Sequence, residues 1–192
     1  MKHFVSLCCS MLLFSTLTAP TLAADANPRV RIETNLGSFV VELWPNVAPE
    51  TVANFLDYVD AGFYDGLIFH RVIESFMVQT GGYTADLEMR EPGDNVVNES
   101  RGGPSNARGT LAMARQTHPD SANAQFFINL VPNPRLDAQG SRAGYTVFGE
   151  VVEGMGVVDR IGRVETGRQG HMADVPLEPV TMTALERLES AR

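Results

Sequence analysis

The apolar residues of this chain mostly repeat every second position, in short runs broken by turn residues, and that period restricts the architecture to sheets. Val30, Ile32 and Thr34 alternate with Arg31 and Glu33, and Phe39, Val41 and Leu43 alternate with Val40 and Glu42. Asn35-Leu36-Gly37-Ser38 between them supplies turn chemistry, so the pair predicts an antiparallel hairpin with one buried face. Further short strands are expected near 68–72, 77–80, 110–114, 126–129 and 146–151, with a last one starting at Val180, Met182 and Ala184. The period changes at Val52, Phe55, Leu56 and Val59, which fall at i, i+3, i+4 and i+7. Pro49 suits a first helical position, Glu50 suits the positive end of the helix dipole, and Gly62 ends the run, predicting an amphipathic helix over 49–62. A brief second helix is expected near 155–161. Many short strands with two helices fit a β-barrel or a sandwich, and the pattern alone does not choose between them.

The first residues belong to a different class. Lys2 and His3 precede a largely apolar run over 4–17, which ends in Pro20, Thr21, Leu22 and Ala23. This predicts a secretory signal peptide over 1–23, cut near Ala23 or Ala24, ahead of a single domain over 24–192. The apolar run spans a bilayer poorly, so the mature protein is expected in the periplasm or the medium with no stable membrane association. Both cysteines, Cys8 and Cys9, lie in this segment, leaving the mature chain without disulfide or thiol chemistry. Its removal takes away Lys2 and no acid, so 15 basic residues become 14 against 23 acidic and the formal charge moves from −8 to −9. That balance opposes non-specific binding to nucleic acid or to anionic membrane surfaces.

The chemistry concentrates in FHRVIESFMVQTGGY (69–83), GTLAMAR (109–115) and DSANAQFFINL (120–130). Strand parity puts Phe69 with Arg71 on one face and His70 with Val72 on the other. The same parity gathers Arg71, Met77, Gln79, Ala114, Gln125 and Phe127 on one face. An apolar wall beside a permanent cation and neutral amides suits a substrate that is gripped and twisted rather than cut. His70, His118 and His171 lack a metal-binding spacing, and Gly81-Gly82 and Gly102-Gly103 lack the phosphate-cradle pattern. His118, Asp120 and Ser121 invite a hydrolase reading, but they share one short loop without a base oriented by a separate acid. Residues 90–108, rich in Pro, Gly, Asn and charge, form an expected long loop, either functional or mobile or a tolerated surface excursion.

These blocks resemble the cyclophilin family of peptidyl-prolyl cis-trans isomerases, and the resemblance runs from about 29 to 188. It implies a mainly β fold, an eight-stranded antiparallel closed β-barrel with an α-helix closing each end. It implies no metal, nucleotide or other cofactor, a monomer, and proline-containing polypeptides as partners, here exported chains in the course of folding. The family's catalytic arginine maps onto Arg71, with Gln79 and Gln125 beside it. Its proline pocket maps onto Phe76, Met77, Phe127 and Leu136, and its substrate-backbone stretch onto Ala114 and Arg115. Tyr145 continues the pattern where many eukaryotic members have histidine. Arg135 stands where many members carry a tryptophan that contacts cyclosporin, so drug sensitivity does not carry over. Glu74-Ser75 replaces the usual Pro-Gly turn, and Thr80 replaces a glycine.

Twisting an Xaa-Pro bond costs about 18–20 kcal/mol because rotation destroys amide resonance. No nucleophile is required. The ring must be held while the preceding carbonyl swings, and the prolyl nitrogen, which gains a lone pair, must meet a donor. A guanidinium stays charged and carries fixed N–H groups. The alternative is a binding module, in which the same groove holds a proline loop of one partner and turnover is irrelevant.

Overall fold

The computed structural model describes residues 27–189, so the expected signal peptide and its cleavage site lie outside the described residues. β1 (Arg29–Thr34) and β2 (Gly37–Leu43) form the expected hairpin, with Val30 facing Val41 and Ile32 facing Phe39. The Thr34 hydroxyl donates to the Gly37 carbonyl at 2.7 Å and accepts the Leu36 N–H, closing the turn. Beyond the helix α1 (Pro49–Asp60) come β3 (Arg71–Ile73), β4 (Met77–Thr80), β5 (Thr110–Met113), β6 (Phe126–Asn129) and β7 (Val147–Glu153). A second helix, α2 (Met155–Ile161), coincides with its expected span. The expected last strand is β10 (Met182–Leu188). Two elements escape the sequence reading: a single 3-10 turn over Pro134–Leu136 and a hairpin of β8 (Thr166–Gln169) and β9 (Met172–Pro176).

Eight strands form one antiparallel sheet in the order β10-β1-β2-β7-β5-β6-β4-β3. The expected closed barrel is corrected here: the sheet is curled but open, and its edge strands β10 and β3 share no ladder. Only the segments ahead of them meet, at an Ile68–Thr181 bridge. There the Phe69 N–H donates to the Val180 carbonyl at 2.9 Å and the Met182 N–H to the Leu67 carbonyl at 2.8 Å. The physical reason is register: with Ile68 opposite Thr181, continued antiparallel pairing would set Arg71–Ile73 against residues 176–178, ahead of β10.

The inner face of the sheet carries the main core. Phe126 and Ile128 of β6, Val78 of β4, Leu111 of β5 and Phe148 of β7 are fully buried there. The α1 side chains Val52, Phe55, Leu56 and Val59 pack onto them, each worth about 1.5–3 kcal/mol on burial. Phe55 anchors the contact, with its ring centroid 5.3 Å from both Phe126 and Phe148.

α1 begins after Ala48, which has no side chain able to cap it. The cap comes from the long loop instead. The Glu99 carboxylate accepts the Glu50 N–H at 3.2 Å, the Thr51 N–H at 2.9 Å and the Thr51 hydroxyl at 2.6 Å. It thereby satisfies orphan donors at the positive end of the helix. The rest of the loop is tied down as well: Arg90 donates to the Phe63 and Asp65 carbonyls, and Asn106 donates twice to Asp137. Residues 90–108 thus brace α1 and the 3-10 turn. Glu99→Ala is expected to lower the unfolding free energy by about 2 kcal/mol, measured by urea titration, since a helix cap built on charged hydrogen bonds is lost.

Candidate active site

Strand alternation sends every second residue of β4, β5 and β6 to the outer face of the sheet, away from the main core. There the register lines up one transverse row: Arg71 faces Gln79, Gln79 faces Phe127, Phe127 faces Ala112, and Ala112 faces Val147. Met77, Ala112, Phe127 and Val147 form a second, smaller buried cluster, with Ile73, Phe76, Ala114, Leu136 and Tyr145 packed around it. A cleft of about 480 Å³ opens above this row. All ten residues expected from the sequence line it: Arg71, Phe76, Met77, Gln79, Ala114, Arg115, Gln125, Phe127, Leu136 and Tyr145. His70, Tyr83, Met172, Ala173 and Asp174 complete the lining.

The floor is apolar and rigid. Phe76 follows a turn in which Ser75 takes a left-handed φ of 59°, the position where glycine is usual, and the Phe76 N–H donates to the Ile73 carbonyl at 3.1 Å. The Phe76 carbonyl accepts from the Leu130 N–H and the Asn133 amide. Leu136 sits in the 3-10 turn, and its carbonyl accepts the Tyr145 N–H at 2.9 Å, which seats the two side by side. The Tyr145 ring meets Phe127 edge-on at 5.7 Å, and the Arg115 guanidinium lies 4.8 Å over its other side. Arg115 is firmly engaged: it donates to the carbonyls of Gln116, Thr117, Ala143 and Gly144. These bonds stiffen the wall and, among the described residues, leave one Nη2 N–H of the guanidinium without a carbonyl partner.

The polar side has two parts. Gln79 donates to the Gln125 carbonyl oxygen at 3.0 Å, joining the amides across β4 and the segment ahead of β6. Gln125 lies against Gly82, where an added Cβ would sit 2.6 Å from its Nε2, so any larger residue there would push the glutamine side chain aside. Arg71 is half-exposed, and its one ion pair among the described residues is Nε to Asp174 Oδ2 at 3.7 Å. Neither glutamine donates to or accepts from it.

One expectation about faces is overturned. Phe69 does not share a face with Arg71: Phe69 is fully buried in the main core, while His70 and Arg71 both line the cleft. The period of two fails there because β3 begins only at Arg71, and the chain crosses from the Ile68 bridge into β3 without ladder pairing. The Thr80 hydroxyl, at the family's glycine position, donates to the Ile68 carbonyl at 2.9 Å and steadies this crossover. His70 is 3% exposed, its ring lies tilted 4.7 Å from that of Tyr83, and its Nδ1 has no hydrogen-bond partner among the described residues. The β9 wall was also missed. The hairpin sequence TGRQGHMADVP carries no sustained alternation, and the turn glycine Gly170 was its only signal.

The hydrolase constellation does not assemble. The Ser121 hydroxyl donates to the His118 carbonyl at 2.6 Å, and the His118 Nδ1 accepts the Asp120 backbone N–H. The Asp120 carboxylate accepts the Asn98 N–H, so no acid orients the imidazole and no base faces the hydroxyl. Among the described residues no three metal-ligating side chains gather, and no helix is long and apolar enough to cross a membrane.

Residues 29–187 match the family model described as cyclophilin type peptidyl-prolyl cis-trans isomerase/CLD. The chain belongs to the cyclophilin family. It is 46% identical over 163 residues to a peptidyl-prolyl cis-trans isomerase of Acinetobacter baylyi, covering 85% of this chain and 87% of that one. It is 48% identical over 159 residues to peptidyl-prolyl cis-trans isomerase B of Escherichia coli K12, covering 81% and 97%. Its fold is similar to that of a Cryptosporidium parvum cyclophilin crystallised in the presence of the dipeptide Ala-Pro. That match has a TM-score of 0.69 at 24% identity and covers 84% of this chain and 99% of the other.

In this cyclophilin His70 is the titrating group to watch. Burial, the largest cause, holds its pKa near 4 instead of the ordinary 6.5, and the Arg71 charge adds to the shift, opposed by the Ile68 carbonyl and the Gln125 amide. The unfolded chain therefore takes up a proton near pH 6.5 that the folded chain refuses until about pH 4. Stability is lost as pH falls through that window, by about 3 kcal/mol in total. Asp137 and Glu42, also held below their ordinary values, act only further to the acid side. Urea titrations of wild type and His70→Gln from pH 7 to 4.5 are expected to show a shallower acid-side loss in the variant; equal slopes would refute the assignment.

Proposed function

We propose that this chain accelerates rotation about Xaa-Pro peptide bonds, and that it acts as a monomer on exported polypeptides after removal of residues 1–23. The observation that carries the activity is the pairing, across one transverse row, of a half-exposed arginine with a rigid apolar floor. Phe76, Met77, Phe127 and Leu136 hold the proline ring by burial of apolar surface. The Gln79–Gln125 pair retains a carbonyl and amide N–H groups for the substrate backbone. Arg71 donates to the prolyl nitrogen as it pyramidalises. Its bond is stronger in the twisted state than in the planar one, and only that difference raises the rate.

A charge-assisted hydrogen bond contributes about 1.5–3 kcal/mol net, or one to two powers of ten in rate. The remaining acceleration comes from holding the ring while the carbonyl swings, an orientation effect of the floor. Such chemistry needs no nucleotide, which fits a protein working outside the cytoplasm. The export reading rests on the basic start, the apolar run over 4–17 and the small residues at Ala23 and Ala24. A role in folding follows from the uncatalysed rate, since Xaa-Pro isomerisation takes tens of seconds.

Two measurements test this reading. With an Ala-Pro test peptide, Arg71→Ala is expected to lower kcat/KM at least tenfold while peptide affinity changes less; full activity in the variant would remove Arg71 as the donor. Expression of the full chain in a Gram-negative host, followed by fractionation and mass spectrometry, is expected to give a periplasmic product starting at Ala24 or a few residues beyond. A cytoplasmic product beginning at Met1 would overturn the export reading.

A further inference from the structure

The β8–β9 hairpin lies outside the eight-stranded sheet and packs β9 against β3, the strand that holds Arg71. Packing alone does not account for its shape. Thr166, Arg168 and Ala173 are exposed, and Gly167, Gln169, Met172 and Asp174 are only partly covered. Gly167 faces Val175 and Gln169 faces Met172, so Arg168 alone stands opposite both Ala173 and Asp174. That is a β-bulge, and a bulge re-aims the side chain it carries.

Within the bulge Asp174 adopts a φ of 61°. Left-handed backbone belongs most often to glycine; aspartate tolerates it better than most residues but at a higher cost than glycine. That cost accompanies a specific placement. Among the described residues Asp174 is the only carboxylate lining the cleft, and its Oδ2 stands 3.7 Å from Arg71 Nε. Both side chains are more than two-fifths exposed, so the pair contributes little to holding the fold. A backbone conformation unfavourable for aspartate, and an ion pair too loose to stabilise, together call for another use of the carboxylate.

We propose that Asp174 is a positioning residue for isomerisation. Its carboxylate attracts the Nε edge of Arg71 from the β9 side and keeps the terminal N–H groups of the guanidinium turned into the cleft. The separation is longer than a hydrogen bond, so Arg71 remains free to shift toward the prolyl nitrogen during rotation. This role rests on the reading of Arg71 as the donor.

The test uses the mature protein, an Ala-Pro peptide, and kcat and KM measured separately. Asp174→Asn keeps the shape and removes the charge; it is expected to lower kcat about three- to fivefold with KM within twofold. Asp174→Gly relieves the backbone strain; it is expected to raise the melting temperature while lowering kcat by the same factor, a split that a purely structural role would not give. In an Arg71→Ala background, Asp174→Asn is expected to change kcat less than twofold. Wild-type kcat in both Asp174 variants, with Arg71→Ala still slow, would overturn the positioning role and leave the donor reading standing. A three- to fivefold loss that persists without Arg71 would also overturn it, since the carboxylate would then act independently. Full activity of Arg71→Ala would remove the donor and this proposal with it.

Discussion

Two faces of one sheet have to do incompatible work, and the strict alternation of side chains along a strand keeps them apart. On β4 and β6 the inward positions Val78, Phe126 and Ile128 are filled by α1 and its aromatic contacts. The outward positions Met77, Gln79 and Phe127 are thereby committed to the opposite surface. A register slip of one residue would put Gln79 in the core and Phe126 in water. The core therefore specifies the cleft: the same burial that stabilises the fold fixes the order Arg71, Gln79, Phe127, Ala112 across four strands.

Much of this was legible because parity is local and rigid. Met77 with Gln79 and Gln125 with Phe127 needed only the period of two, and α1 needed only its apolar spacing and Pro49. The illegible parts depend on contacts far apart in sequence. Glu99 caps a helix whose first residues lie 48 and 49 positions earlier, and no local pattern marks it. The His70–Arg71 step breaks alternation because the chain there is in transit between a bridge and a strand. Asp174 lies in a polar hairpin without periodicity, and its relation to the cleft is set by packing of β9 on β3. The open sheet was missed for a related reason: whether the edges join depends on the register of the residues just ahead of β3 and β10, and strand patterning does not report that.

The charges around the cleft divide by how firmly they are held. Arg115 donates to four carbonyls and lies over Tyr145, so it acts as a fixed strut. Among the described residues Arg71 has a single distant partner, and its side chain is 44% exposed. The tightly bound guanidinium builds the wall; the loosely bound one remains available to a ligand. His70, next to it, is kept neutral by burial and adds no competing charge near neutral pH. The electrostatic field in the cleft is therefore set by the mobile pair of Arg71 and Asp174 together with the fixed charge of Arg115, against a background of amides and hydrocarbon.

That division bears on how an isomerase uses a charge. A guanidinium locked by a close bidentate carboxylate would have its N–H groups satisfied before substrate arrives, and the twisting nitrogen would have to displace a strong bond. A guanidinium with no carboxylate nearby would sample many rotamers in water and lose entropy on each encounter. At 3.7 Å and with both groups well exposed, the Asp174 attraction is worth at most about 1 kcal/mol. That narrows the orientations of Arg71 without outbidding the 1.5–3 kcal/mol of its bond to a developing lone pair. The bias is present before and during rotation alike, so it acts by shortening the search for the productive geometry, and the differential stabilisation of the twisted state stays with Arg71 itself.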